Sequence, residues 1–204
     1  MKKKENSKTR IVGGGIAGMT AAINLSKIGK SVIIYEKKDC IGGSRDGDLE
    51  GLENWIFSKS LPDSIKECGI DLNGFPKYPI FEFFVHLNGL QPVKIKSPEP
   101  FFYIVKRGTS SDSLDNYLAE LCKNLNVEIL FNQNYDISKA DINSTGTYRA
   151  AAYIRGAQIE TNLSNQVHLL IGKQYAPMGY AYLIINNGFG TLATAFKKTS
   201  IKDD

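Results

Sequence analysis

The chain has 204 residues, 42% of them hydrophobic, and a formal net charge of +4. This length supports one sizeable core, or one domain with a smaller added layer. The charge lies largely in lysines near the two ends and forms no internal basic stripe, so nothing indicates nucleic-acid binding. No window approaches the roughly 20 apolar residues of a membrane span. Three scattered cysteines, without metal-ligand spacing, and a polar start without a cleavable leader predict a cytoplasmic protein.

Residues 10–43 show the most informative pattern in the chain: a short apolar strand, a glycine turn, a helix, a second strand, an acid and a glycine pair. The turn reads G-x-G-x-x-G. Its first glycine permits the turn, its second admits a pyrophosphate, and its third lets the helix pack against the strand. The first helical turn offers unpaired N–H groups to phosphates. The predicted pyrophosphate-binding residues are Gly13, Gly15, Ile16, Ala17 and Gly18.

Glu36 follows the second strand, 32–35. A carboxylate at this position accepts hydrogen bonds from ribose hydroxyls and repels a 2′-phosphate, which disfavours NADP. Lys37 is included as a neighbouring candidate, and Gly42-Gly43 completes an E-x5-GG run. This run after the glycine turn resembles the N-terminal FAD motif of the two-dinucleotide-binding-domain flavoproteins, and the resemblance implies FAD as the dinucleotide. A plain glycine loop in a βαβ unit is the alternative interpretation of the whole stretch.

In the middle of the chain, the spacing of the apolar residues changes from that of helices to that of β-strands. We interpret 44–57 as a loop entering a helix, with Trp55 anchored in the core. A short helix capped by Ser60 follows, with Cys68 on its apolar face. Two strands rich in aromatic and β-branched residues, 80–87 and 90–96, flank Asn88-Gly89 and predict a hairpin. The next strand predicted is 101–106.

In the last hundred residues, a second helix and parallel strand again come before a group of antiparallel strands. A helical stripe begins after the N-cap Ser113 and is followed by a strand at 127–131. Four further strands alternate after residue 147. The predicted fold class is α/β: a Rossmann-like FAD-binding parallel sheet with an antiparallel β substrate layer. The predicted domains are a tail at 1–8, a discontinuous FAD-binding domain at 9–74 and 107–146, a substrate layer at 75–106 and 147–198, and a tail at 199–204.

Several strings resemble FAD-dependent oxidoreductases of the geranylgeranyl reductase group, which share the aromatic hydroxylase flavoprotein fold. The fingerprint from Ile11 to Gly43 is the most specific part. LDNYLAELCKNLNVEILFN is similar to the family's second parallel unit, and ADINSTG to its Ala-Thr-Gly element. AP-x-GYAYL and GTLAT resemble its antiparallel layer.

The resemblance implies FAD as cofactor, with NAD(P)H as electron donor. It implies that Thr145 and Gly146 close over the adenine half, with Ser144 where alanine is usual. Arg45 lies where a basic side chain approaches the pyrophosphate, and a solvated loop arginine is the equal alternative. Flavin chemistry needs little acid–base help, so no catalytic residue is assigned.

Two departures from the family qualify the function. Of the family's lipid-facing Tyr-x-Trp-x-Phe-Pro segment only Tyr180 remains, and with Tyr182 it is the predicted wall for an apolar, lipid-like or unknown small substrate. The family has a Gly-Asp segment after its antiparallel layer, and this sequence ends at Asp204 before any such segment. We therefore expect weak flavin binding, or completion of the site by a partner protein or a C-terminal segment. An inactive or split flavoprotein fragment and an NAD-binding Rossmann protein are the alternatives.

Three further residues have two interpretations each. Cys40 beside the glycine pair either approaches a flavin or is a small buried residue. His86 and His168 lie on strand patterns and are interpreted as strand residues rather than bases.

Overall fold

The computed structural model describes residues 8–56, 58–88, 90–146 and 152–197. The predicted tails, apart from Lys8, lie outside these ranges, as do residues 147–151 and 198 of the predicted substrate layer. Contacts divide the chain into two compact units. The first unit is Met1–Gly47, Ile56–Pro76 and Val105–Gly146, and the second is Asp48–Trp55, Lys77–Ile104 and Thr147–Asp204.

The described residues of the first unit form a four-stranded parallel sheet and three α-helices. The elements are β1 (Thr9–Val12), α1 (Ile16–Lys27), β2 (Val32–Tyr35), α2 (Leu61–Glu67), α3 (Leu114–Asn124), β8 (Glu128–Leu130), a 3-10 turn (Ile137–Lys139) and β9 (Ile142–Asn143). The strands lie in the order β8-β2-β1-β9. Helices α1 and α3 contact each other. The strand–turn–helix–strand order predicted for residues 10–43 is confirmed.

The helices of the first unit begin and end for local reasons. Ser60 accepts a hydrogen bond from the Asp63 N–H and Ser113 accepts one from the Asn116 N–H, so each serine satisfies a donor of the first turn. Helix α1 stops before Gly29, which has a φ of +79°. The predicted caps of α2 and α3 are therefore confirmed.

The second unit consists of β-strands. Its elements are β3 (Leu49–Glu53), β4 (Tyr78–Ile80), β5 (Glu82–Leu87), β6 (Val93–Lys96), β7 (Phe102–Lys106), β10 (Ala152–Glu160), β11 (Gln166–Ile171), β12 (Tyr180–Asn186) and β13 (Phe189–Lys197), with the last two residues of β7 in the first unit. A six-stranded sheet has the order β10-β13-β12-β11-β5-β6, and a three-stranded sheet the order β3-β7-β4. Buried side chains from both sheets pack together, including Leu49, Phe102, Ile104, Val167 and Ile184.

The structure differs from the sequence prediction in three places. Residues 44–57 do not lead into a helix, because Leu49–Glu53 forms β3. Trp55 is 57% exposed rather than anchored in the core, while Phe57 lies outside the described residues. Cys68 is exposed, in contrast to the buried Cys122.

The six-stranded sheet is also not purely antiparallel, since β5 and β11 pair in parallel. No helix within the described ranges is both long enough and apolar enough to cross a membrane.

Candidate functional site

The glycine turn of the first unit brings β1, α1 and the loop after β9 into contact. A Cβ on Gly13, whose φ is +101°, would lie 2.6 Å from the Ser144 carbonyl oxygen, and one on Gly18 would collide with the Gly13 carbonyl. The Ser144 hydroxyl donates to the carbonyls of Val12 and Gly13, at 2.8 Å each. Two glycines are thus required sterically, and the two hydrogen bonds of the Ser144 hydroxyl hold the turn to the loop after β9.

Gly15 differs from these two glycines, because a Cβ there would meet nothing within 4 Å. Gly15 is also the N-cap of α1, with no side-chain hydrogen bond and no acidic residue in the first turn. Ile16 and Ala17 follow, with Ala17 exposed. The helix therefore presents N–H groups and the positive end of its dipole to open space, which is the arrangement that binds phosphate.

Glu36 stands at the carboxyl end of β2 beside this turn. One carboxylate oxygen accepts the Gly14 N–H at 2.6 Å and the other accepts the Lys38 N–H at 2.9 Å. Since a carboxylate has about four acceptor sites, the same group can also accept ribose hydroxyls. Lys37 is exposed next to it. Backbone amides thus orient the acid at the edge where parallel sheets bind ligands.

The glycine pair packs against a segment that the sequence reasoning did not single out. A Cβ on Gly42, with φ +73°, would collide with the Gly108 carbonyl oxygen, and one on Gly43 would lie 3.0 Å from the Cys40 sulfur. A hydrogen bond to Asp39, with burial and nearby charge, raises the pKa of Cys40, so its thiol is protonated at neutral pH. The E-x5-GG run therefore forms a tight turn on Gly108.

An almost buried ion pair supports Gly108. Asp115 accepts from Arg107 Nε at 2.8 Å and from the Gly108 N–H at 2.9 Å. Burial raises the pKa of Asp115, but the bonds to Arg107 and Gly108 and the charges of Arg107 and Arg45 together lower it. The Arg45 N–H donates to the Gly42 carbonyl. Sequence reasoning missed this pair, although a glycine after β7 and an acid at the start of α3 were available signals.

The loop after β9 carries the residues predicted for the adenine side. The Thr145 hydroxyl donates to Asn143 Oδ1 at 2.8 Å, and the Thr145 N–H lies near the position that a Cβ on Gly13 would occupy. Thr145 and Gly146 are both exposed. The structure thus brings the Thr-Gly element to the glycine turn, while its role toward adenine stays a prediction.

The second unit contains a cavity of about 590 Å³ lined by Tyr180 and Tyr182. These are the two predicted substrate residues, and no described residue of the first unit lines this cavity. Within the described ranges no three His, Cys, Asp or Glu side chains group as metal ligands.

The two histidines of the second unit bond to each other, His86 Nε2 to His168 Nδ1 at 2.8 Å. His168 Nε2 also lies 2.7 Å from Gln166 Oε1, so His168 donates there and accepts from His86. Burial and the nearby His86 lower the pKa of His168. Both residues lie in strands, in agreement with their interpretation as strand residues.

Comparison with known proteins places these features in one fold. Residues 11–51 match the family model of the NAD(P)-binding Rossmann-like domain. A geranylgeranyl bacteriochlorophyll reductase-like protein of Thermoplasma acidophilum is similar over 93% of this chain and 56% of its own, with a TM-score of 0.65 and 15% identity. CtdE, solved in complex with FAD, is similar over 97% of this chain and 61% of its own, with a TM-score of 0.62 and 16% identity. PqsL of Pseudomonas aeruginosa, a probable FAD-dependent monooxygenase, is similar over 93% of this chain and 60% of its own, with a TM-score of 0.59 and 14% identity. The chain has the fold of the FAD-dependent oxidoreductases.

Curated relatives match a shorter stretch. Thiamine thiazole synthase of Thermococcus kodakarensis is 38% identical over 61 residues, which is 30% of this chain and 24% of that protein. A tRNA 5-methylaminomethyl-2-thiouridine biosynthesis bifunctional protein of Shewanella frigidimarina is 46% identical over 46 residues, 22% of this chain and 7% of that protein. The chain thus spans about a quarter or less of these relatives and about three fifths or less of the three solved proteins above.

Proposed function

We propose that this chain binds FAD and serves an oxidoreductase of the geranylgeranyl reductase-like flavoprotein group, in which a hydride passes through FAD to an apolar small substrate. The observation that carries the proposal is the open start of α1. Gly15 leaves room for a ligand beside an uncapped helix N-terminus, and Glu36 is held next to the same turn.

Each part of the first-unit site has a distinct task in this proposal. The N–H groups at the start of α1 hold the pyrophosphate, and Glu36 accepts from the ribose. The Gly42 turn on Gly108 and the Thr145 loop form two further walls. FAD supplies the hydride-accepting ring, and the chain supplies binding and orientation.

FAD is favoured over NAD by two observations. The first is that the E-x5-GG turn packs closely against Gly108 of the first unit. The second is that CtdE, which has the same fold, was solved with FAD. An NAD-binding Rossmann protein is the second candidate, because the matching family model describes an NAD(P)-binding domain.

The test is the visible spectrum of the purified chain, followed by titrations with FAD and with NAD. We expect FAD to bind more tightly than NAD in these titrations. Glu36→Ala removes the ribose acceptor and lowers FAD affinity about tenfold, the loss expected for a hydrogen bond to a charged group. Glu120→Gln, on the exposed side of α3, is the matched control and leaves affinity unchanged.

Two results would contradict the proposal. A chain that stays colourless and shows no FAD binding in the titration rules out FAD binding by this chain. Tighter binding of NAD than of FAD transfers the assignment to the second candidate.

A further inference from the structure

The cavity of the second unit has the size of a small-molecule site and a largely apolar wall. Its volume of about 590 Å³ falls within the roughly 300–1,000 Å³ range of ligand pockets. Five of its described lining side chains are aromatic: Trp55, Phe83, Phe102, Tyr180 and Tyr182. Pockets of this kind bind mainly through apolar contact, so the shape of the wall decides which ligand fits.

Three of these rings form one cluster with a fixed mutual geometry. Phe83 and Phe102 have ring centroids 6.0 Å apart, and Trp55 meets Phe102 edge to face at 6.2 Å and 86°. Phe101, which packs against the core beneath, meets Phe83 edge to face at 5.0 Å and 85°. Phe102 itself is only 8% exposed. The cluster is therefore oriented before a ligand arrives, and a ligand ring gains aromatic contacts beyond the burial of its area.

Another part of the wall is one face of the six-stranded sheet. Tyr180 and Tyr182 are two residues apart in β12, so they point to the same face. Their cross-strand partners in β11, Ile171 and Leu169, also line the cavity. Because paired strands hold these four side chains, this wall is pre-formed. A rigid ligand loses less conformational freedom against it than a flexible chain does.

The charges of the lining give no reason to expect an ionic ligand. No lysine or arginine is among the described lining residues, so the wall carries no fixed positive charge for an anion. Of its two carboxylates, Glu50 already takes part in an interaction within the chain, and Glu53 is exposed to water. A neutral ligand enters an apolar cavity without the cost of removing a charge from water.

We propose that the cavity binds a flat, neutral ring compound in preference to a flexible isoprenoid chain. The proposal rests on the proposed function in one respect only: if the chain serves an oxidoreductase, this ring compound is its apolar substrate. Conjugated ring ketones belong to this class and can accept a hydride, so the shape of the cavity and the acceptor chemistry agree. A ring gains from both the aromatic cluster and the sheet face, whereas a chain gains only from the area that it buries.

The experiment uses the full chain without FAD and two neutral alcohols as probes, biphenyl-4-ylmethanol and farnesol. Trp55 is the only tryptophan of the sequence and lines the cavity, so its fluorescence reports binding. Displacement of the biphenyl probe reports farnesol binding independently. Farnesol has the larger apolar surface, so a wall that responds to area alone binds it more tightly. We expect the biphenyl probe to bind about fivefold more tightly instead, because it adds an aromatic contact and is rigid.

Tyr180→Leu replaces one ring of the wall by an aliphatic side chain. It should reduce the preference for the biphenyl probe about threefold and leave farnesol affinity unchanged. Tyr153→Leu is the matched control and should keep the preference, since Tyr153 of β10 is 41% exposed against 44% for Tyr180 and does not line the cavity. Circular dichroism shows whether each variant is folded, and Phe83→Leu is the second ring variant if Tyr180→Leu is not.

Equal or tighter binding of farnesol by the unaltered chain overturns the proposal, as does binding of neither probe or a folded Tyr180→Leu variant that keeps the full preference. Biphenyl-4-ylacetate and biphenyl-4-ylmethanamine test the charge, and tighter binding of either than of the alcohol refutes a neutral ligand. Because Trp55 reports without flavin, the two proposals fail separately. Ring binding by a chain that fails the FAD titration contradicts FAD binding alone, and FAD binding without the ring preference contradicts the cavity proposal alone.

Discussion

Helices α1 and α3 of the first unit begin in opposite ways. Helix α1 starts at Gly15, with no side chain to accept its first N–H groups and with open space where a Cβ would lie. Helix α3 starts at Ser113, whose hydroxyl accepts the Asn116 N–H and donates to the Gly108 carbonyl. One helix end is closed by the protein itself, and the other is open. A capped start contributes stability, whereas an open start leaves N–H groups available to an anion.

The largest effect is expected at the glycine that packs α1 against β1. Gly18→Ala places a methyl group into the Gly13 carbonyl and 2.6 Å from the Ser144 hydroxyl. We expect a loss of about 4 kcal/mol or more in the free energy of unfolding, measured by urea denaturation, together with loss of FAD binding. Unchanged stability would show that β1 and α1 do not pack as closely as the comparison requires.

The second effect concerns the closed start of α3. Asp115→Asn removes the charge that pairs with Arg107 in a nearly buried place, where the side chains are 14% and 4% exposed. We expect a loss of about 3 kcal/mol in the free energy of unfolding. Asp112→Asn, whose carboxylate pairs with Lys106 at the surface, is the control and should cost under about 1 kcal/mol.

The pH dependence of this second effect has a definite sign. Because the folded pKa of Asp115 lies below its ordinary value of 3.8, the stabilisation is complete above that value and is lost as the pH falls through the folded pKa. The difference between the unaltered chain and Asp115→Asn should therefore shrink from about pH 4 downward. A difference that is constant down to acid unfolding would exclude the charge as its cause.

A smaller effect is expected at the cap itself. Ser113→Ala leaves the Asn116 N–H without its acceptor and should lower the free energy of unfolding by about 1 kcal/mol. FAD affinity should fall by much less than in Gly15→Ala, because this helix end is closed to ligands and Ser113 reaches the proposed site only through the Gly108 carbonyl. A variant that loses affinity at full stability would contradict the division of roles between the two helices.

The smallest change in stability, and the sharpest test, is Gly15→Ala. The backbone φ of −77° suits alanine and the methyl group meets open space, so unfolding should change by only about half a kcal/mol or less. In the proposed site the same methyl group would occupy the place of the pyrophosphate, and we expect FAD affinity to fall at least about tenfold, measured by flavin fluorescence. Unchanged affinity would mean that the open end of α1 is not the phosphate site.

The sequence predicts the first unit's turn well because its determinants are local. The spacing of the glycines and apolar residues is enough to place Gly13, Gly18 and Glu36 at β1, α1 and β2. Serines indicate the N-caps of α2 and α3. The support at Gly108 was missed because Arg107 and Asp115 meet only through the turn between β7 and α3.

The structure of the second unit is harder to predict from the sequence, because pairing between distant segments determines which of them form strands. The segment LEGLE of β3 is acidic and contains glycine, both unfavourable in strands, and it is a strand because it pairs with β7. The sequence predicts Trp55 in the core, yet it lines a cavity to which the distant strands β5, β7, β10, β11 and β12 also contribute. Local patterns carry no information on such an assembly.

The parallel pairing of β5 with β11 bears on the order in which the chain folds. Phe84 lies opposite His168, so a long stretch of chain must be closed before this pair of strands can form. Strands β1 and β2, which flank α1, pair within a much shorter stretch of chain, with Thr9 opposite Val32. Hydrogen-exchange pulse labelling should therefore find the amides of α1 protected before those of β5. During synthesis, the hairpin of β5 and β6 is made well before β11. Until β11 is available, the edge of β5 that pairs with it stays exposed to other chains.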